Sequence, residues 1–166
     1  MSSATTTLDA LHAAILDGLR ARFADRITHY GAYEPWDDLA DGPDQLVRTP
    51  ALLLEVEDLA EALLDRPDPF GRLAVTVGLA VHCVLSMRTE RLQQALPQFA
   101  AAVLATVLPA HGVGFGRGER WGLGDALSDP EGPTAQPGEF RPGLHGRDAW
   151  IVRWSQTLYL DPALPE

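Results

Sequence analysis

The stretch Gly71-Arg72-Leu73-Ala74-Val75-Thr76-Val77-Gly78-Leu79-Ala80-Val81-His82-Cys83-Val84-Leu85 decides the fold. Its side chains alternate with a period of two, the signature of a β-strand. Leu73, Val75, Val77, Leu79, Val81, Cys83 and Leu85 make one face, and Ala74, Thr76, Gly78, Ala80, His82 and Val84 make the other. The large face is expected to meet helices. The small face is neither charged nor apolar enough for plain solvent, so it should allow close approach by another protein layer or by the chain's own loops. Its completion by neighbouring subunits is the expectation on which an assembly role would rest. Fifteen residues exceed a typical strand. Gly78 is therefore expected to bend the strand or divide its pairing between two partners.

Working outward, Asp148–Leu160 alternates as clearly. Val152, Trp154, Leu158 and Leu160 share a face with Gln156, and Arg153, Ser155, Thr157 and Tyr159 lie on the other. Upstream, Ala51–Glu57 reads as a strand with Leu52, Leu54 and Val56 on the core side, and 58–65 as a helical turn. Residues 27–33 form a short strand with Gly31 at a bend or bulge. Leu8, Leu11, Ile15, Leu19 and Phe23 recur at helical spacing, giving a helix over about 6–25 with Thr6 as cap. A second helix covers 90–109, capped by Thr89, with Pro97 either kinking it or opening its main part. Residues 112–124 make a weak strand. Residues 117–147 form a long Gly/Pro-rich loop. The order implies an α+β fold: a single domain over 1–166, with two helices packed on one face of a mainly antiparallel, or mixed, four- to five-stranded sheet.

The 166 residues suffice for one domain with a real core. No apolar run is long enough for a membrane span, and no signal-peptide pattern stands at the N-terminus. One cysteine, Cys83, excludes an intrachain disulfide. An intracellular folding compartment is expected. The net charge is −10, and all 13 bases are arginine. Residues 34–68 alone carry 11 acids and two arginines. Such a field opposes nucleic-acid binding, which needs a basic footprint. It suits a solubilising face, a surface beside DNA that must not adhere to it, or a basic partner. Within it, Trp36 sits among Asp37, Asp38 and Asp41, either packed on the domain edge or anchoring a subunit contact.

The chemical motifs do not accumulate. Gly112–Gly118 lacks the Lys-Ser/Thr of a phosphate loop and has no following helix. His12, His29, His82, His111 and His145 show no ligand spacing. His82 and Cys83 are strand neighbours, so they point to opposite faces and cannot readily act as base and nucleophile. Glu55 and Glu57 share a strand face about 6.6 Å apart, a spacing usable in carboxylate chemistry, with Asp58 expected on the opposite side. No third ligand accompanies them. Arg153 and Tyr159 suit an exposed face or an assembly surface. No catalytic, metal or cofactor site is expected, and the chain is read as a non-enzyme.

Four segments carry a family likeness: Leu8-Asp9-Ala10-Leu11 opening the first helix, Pro50-Ala-Leu-Leu-Leu-Glu-Val56, Gly71-Arg-Leu-Ala-Val-Thr-Val77 running to Leu85, and Trp154-Ser-Gln-Thr-Leu-Tyr-Leu160. With the helix at 90–109 before the last of them, their order over residues 6–161 resembles the tail terminator (minor tail) proteins of long-tailed, Mu-like bacteriophages. The resemblance implies a structural virion protein at the tail–neck junction, assembled in the host cytoplasm. It implies a ring, usually a hexamer, that caps the head-proximal end of the tail tube. The ring stops tube growth and offers a docking surface to neck proteins. The tail tube protein, neck or connector proteins and, in a contractile tail, the sheath are the implied partners. DNA would pass through the lumen without specific binding, and an acidic wall suits that passage. Trp36, Asp37, Asp38, Asp41, Glu55, Glu57, Arg153 and Tyr159 are the candidates for the assembly or lumen surface. A head–tail connector or tail completion protein is the nearest alternative; an α+β enzyme and a small regulatory binding protein are others.

Overall fold

A computed structural model describes residues 7–33, 48–108, 119–138 and 146–160. Helix α1 spans Leu8–Phe23 and ends in a 3-10 turn, Ala24–Arg26. Strands β1 (His29–Ala32), β2 (Ala51–Glu61) and β3 (Leu73–Ser86) follow. Helix α2 (Leu92–Val107), a 3-10 turn (Gly124–Ala126), β4 (Glu131–Pro137) and β5 (Arg147–Leu160) are the remaining elements among the described residues. The five strands form one mixed sheet in the order β1-β2-β3-β5-β4. Only β1 and β2 run parallel; the other pairs are antiparallel. This is a single α+β domain whose two helices pack on one face of the sheet.

The alternation in β3 and β5 is realised as expected. Val77, Leu79, Val81 and Cys83 join Val152, Trp154 and Leu158 in one buried cluster. Leu11, Ile15, Leu19 and Phe23 of α1, and Ala100, Val103 and Val107 of α2, close that cluster from above. Thr7, rather than Thr6, caps α1: its hydroxyl accepts from the Ala10 N–H at 3.1 Å, satisfying one of the helix's orphan donors. Helix α2 runs unbroken through Pro97 and starts after Arg91, which has φ +52° and gives no side-chain cap. Thr89 instead donates its N–H to the Ser86 carbonyl in the turn before the helix.

The apolar face also holds one polar hub. The indole N–H groups of Trp121 and Trp154 both donate to Gln156 Oε1, at 3.2 and 2.9 Å. Gln156 Nε2 donates to the carbonyls of Glu119 and Ser128, at 2.9 and 2.8 Å. Gln156 is 1% exposed, and with both ends of its amide satisfied its burial is tolerated. The hub pins 119–128 beneath α1. There the Trp121 ring takes the space beside Gly18, where a Cβ would lie 2.5 Å from Trp121 Cε3. The glycine lowers helix propensity and admits the indole.

Several expectations are corrected. The helical turn over 58–65 is absent, because β2 continues to Glu61. A β-bulge between Val56 and Asp58 shifts its alternation, which leaves Leu59 half-exposed. Strand β4 lies inside the segment expected to be a loop over 117–147. It contains Pro133 and Pro137, and it is tolerated as an edge strand where missing N–H groups leave the central ladder intact. Residues 119–124, the described part of the expected weak strand, are not strand. Gly31 marks no bulge: the β1–β2 register runs through it unbroken. Gly78 does not divide the pairing of β3, which bonds to β2 and β5 along almost its whole length.

Candidate functional site

The second face of the sheet carries the candidate surface residues that lie among the described residues. Its midline is the small-residue row of β3. The expectation that neighbouring subunits complete its burial is corrected here: Ala74, Ala80, His82 and Val84 are buried within the single chain. Side chains from the flanking strands do much of the covering.

Register explains how. Glu55 on β2 and Arg153 on β5 both stand opposite Ala80. Beside them Arg153 Nε lies 2.9 and 3.2 Å from the two oxygens of Glu57. The strands bearing this pair do not bond to each other; β3 runs between them. A long side chain on β3 at Ala80 would stand in the gap they close. The pair is about one-third exposed on each side, so its net contribution is modest.

One step along β3, the same economy recurs. A Cβ on Gly78 would run into the Asp58 carboxylate, so only glycine leaves that space free. Asp58 was expected on the opposite side from Glu55 and Glu57. The bulge places Asp58 opposite Gly78 and turns it onto their face. In the other direction, His82 Nε2 lies 2.8 Å from Glu55 Oε2, and the Tyr33 ring stacks on the imidazole with centroids 3.8 Å apart. A carboxylate only accepts, so Nε2 carries the proton and donates to it. Burial is the main influence on His82 and pushes its pKa below the ordinary histidine value; the Glu55 hydrogen bond opposes the shift. His82 is therefore neutral at pH 7 and holds Glu55 in place.

Near the hairpin that joins β2 to β3, Tyr159 faces Arg72, whose guanidinium carbon lies 4.8 Å from the ring centroid. The same guanidinium lies 5.2 Å from the Phe70 ring. Asp68 fixes it by accepting from Arg72 Nε at 3.1 Å, from the second guanidinium nitrogen at 3.0 Å and from the backbone N–H at 2.8 Å. These contacts hold the Asp68 carboxyl below its usual range.

The carboxylates Glu55 and Glu57 are thus each committed to a partner. Among the described residues no group of three or more His, Cys, Asp or Glu side chains could hold a metal ion. His82 and Cys83 do point to opposite faces, and Cys83 is buried in the helix-side core, where burial pushes its thiol pKa far up. A thiol so placed is a packing group. Trp36, Asp37, Asp38 and Asp41 lie outside the described residues. Tyr33, Arg72 and Phe70 join the surface without having been singled out from sequence. For Phe70 and Arg72 the signal, an aromatic ring and a base beside the run Arg66-Pro67-Asp68-Pro69, was visible but had no geometry attached; for Tyr33 there was none.

No protein-family profile matches the chain, and no curated protein matches it in sequence. No helix among the described residues is long and apolar enough to cross a membrane.

Proposed function

We propose that the protein is a structural component of a long-tailed phage virion, a tail terminator. It assembles into a ring, with six copies as the expected number, on the head-proximal end of the tail tube, ends tube growth and presents a docking surface to the neck. The observation that carries the reading is the order of the four family-like segments. They fall on α1, β2, β3 and β5 of one α+β domain, with α2 before the last strand and both helices on one side. The likeness is one of segment order. The small-residue face of β3, which the chain itself buries, lends assembly no support; independent support comes from the rest of the surface. Glu55 and Glu57 are occupied in cross-strand pairs with His82 and Arg153, and large apolar side chains stand exposed at the β2–β3 hairpin. Exposed apolar clusters mark contact surfaces.

In this reading the acidic composition of 34–68 suits a subunit past which DNA slides or to which a basic partner binds. Like charge keeps DNA mobile in a channel, because adhesion needs phosphate neutralisation. The tail tube protein and neck proteins are the partners, with the sheath where the tail contracts.

Electron microscopy of the purified protein and deletion of its gene test the proposal together. The proposal expects rings with a central channel of tail-tube diameter, and overlong tubes when the gene is lost. Normal-length tails that fail to join heads would identify a head–tail connector instead. A monomer with no affinity for tube ends would contradict both.

A further inference from the structure

The two ends of the sheet differ in charge and each exposes apolar side chains. At one end the hairpin between β2 and β3 carries Leu63 and Phe70, 96% and 79% exposed, beside the half-exposed Leu73. Among the described residues the acids there are Glu61, Asp65 and Asp68, with Arg66 and Arg72 as the bases. Phe70 is not a loose loop residue. It rests on the Arg72 guanidinium, which Asp68 grips and Tyr159 backs. An exposed aromatic ring already fixed in place loses little conformational freedom on docking, the property of an interface anchor.

The opposite end is where β2 and β5 begin and β3 ends, as the pairs Ala51↔Val84 and Ser86↔Arg147 fix. Among the described residues arginines dominate it: Arg22 and Arg26 close to the end of α1, Arg88 and Arg91 between β3 and α2, and Arg147 at the start of β5, with Asp25, Glu90 and Asp148 as the acids. Met87, 59% exposed, stands beside Arg88. The residues named at this end hold five arginines against three acids, and those at the hairpin hold three acids against two arginines, so the two ends carry opposite excess charge and can form ion pairs beside their exposed apolar side chains.

We propose that the β2–β3 hairpin, with Phe70 and Leu63 as anchors, docks on the Met87–Arg88 end of a second copy of this chain. The contact is heterologous, one end of a protomer meeting the other end of the next. Such a contact closes into a ring when the rotation per step permits, and otherwise propagates. This inference rests on the ring reading and names the surfaces that would build the ring; a ring could also form through others.

The test uses the full chain and two variants altered only at exposed positions. Leu63→Asp with Phe70→Asp removes the anchor, and Met87→Asp with Arg88→Glu removes the receiving end. Circular dichroism checks that both fold. In sedimentation at low ionic strength the wild type is expected to assemble, and each variant alone to remain at monomer mass. Mixed in equal amounts, the variants should form a heterodimer and nothing larger, since each retains one intact end. Assembly of either variant alone to the wild-type size would overturn the inference and leave the ring reading standing. So would a mixture of folded variants that stays monomeric. A wild type that is itself monomeric at every concentration would overturn both.

Discussion

Arg153 reaches Glu57 across an intervening strand, with Nε 2.9 Å from one carboxylate oxygen, although β5 and β2 share no backbone hydrogen bond. The small side chain of Ala80 is what leaves the passage open. The same logic places Asp58 over Gly78 and seats His82 between Glu55 and Tyr33. The row of small residues on β3 is therefore a channel for the chain's own polar side chains, which stitch three strands together on the face away from the helices.

A double-mutant cycle with Arg153→Ala and Glu57→Ala measures that stitch. Both partners are about one-third exposed, so urea unfolding should return a coupling of about 0.2–1 kcal/mol. The coupling should shrink at high salt. A coupling above about 2 kcal/mol would mean that the pair is far drier than its exposure indicates.

Gly78→Ala puts a methyl group into the space of the Asp58 carboxylate, and the exposed Asp58 side chain must swing away to admit it. That displacement offsets the ~0.5–1 kcal/mol that Ala otherwise gains over Gly inside a strand, so the net change in urea unfolding should stay within about 1 kcal/mol. In an Asp58→Ala background the same change should be more favourable. Equal effects of Gly78→Ala in both backgrounds would show that the carboxylate does not occupy that space.

Gln156→Leu should be the most damaging single change among these. It keeps the volume but leaves two indole N–H groups without their acceptor and the carbonyls of Glu119 and Ser128 without their donor. A buried group left unsatisfied costs about 1–3 kcal/mol. Thermal unfolding should fall accordingly, and the near-ultraviolet circular dichroism of the tryptophans should change. A near-wild-type melting temperature would contradict the hub.

Stability should also fall with acid through His82. Burial lowers its folded-state pKa below the unfolded value, so the unfolded chain binds its proton first. The contribution is intact above the unfolded value of about 6.5 and is lost as pH falls from there through the folded pKa. Denaturant unfolding at pH 7.5 and 5.5 should show a larger loss for the wild type than for His82→Gln. Glu55→Gln should steepen the wild-type dependence, since it removes the group that favours the charged ring. An equal loss in the wild type and His82→Gln would assign the acid sensitivity elsewhere.

The parts of the fold that were legible in sequence are those where alternation acts alone. In β3 and β5 the core-facing positions recur at every second residue and are apolar except for Gln156, and both strands form within a residue or two of their expected limits. Where a second force intervenes, the pattern fails. The bulge beside Glu57 breaks the period of β2, so residues 58–61 resembled a helical turn. Strand β4 is an edge strand of Gly, Pro and polar residues, stabilised by pairing with β5 on one side only. The charge pairs were less legible still. Glu57, Arg153 and Ala80 come together only once the strand order is known, and Glu57 and Arg153 are 96 residues apart in the chain.

The assembly claim has a direct measurement: the mass of the purified full-length protein in solution, followed by sedimentation velocity over a wide range of concentration. A subunit with an apolar anchor at one end of its sheet and an arginine-rich receiver at the other should populate one closed species of fixed stoichiometry, expected at six copies. A single species at the subunit mass of 18.0 kDa, unchanged at the highest concentration and in the presence of tail tubes, would contradict it.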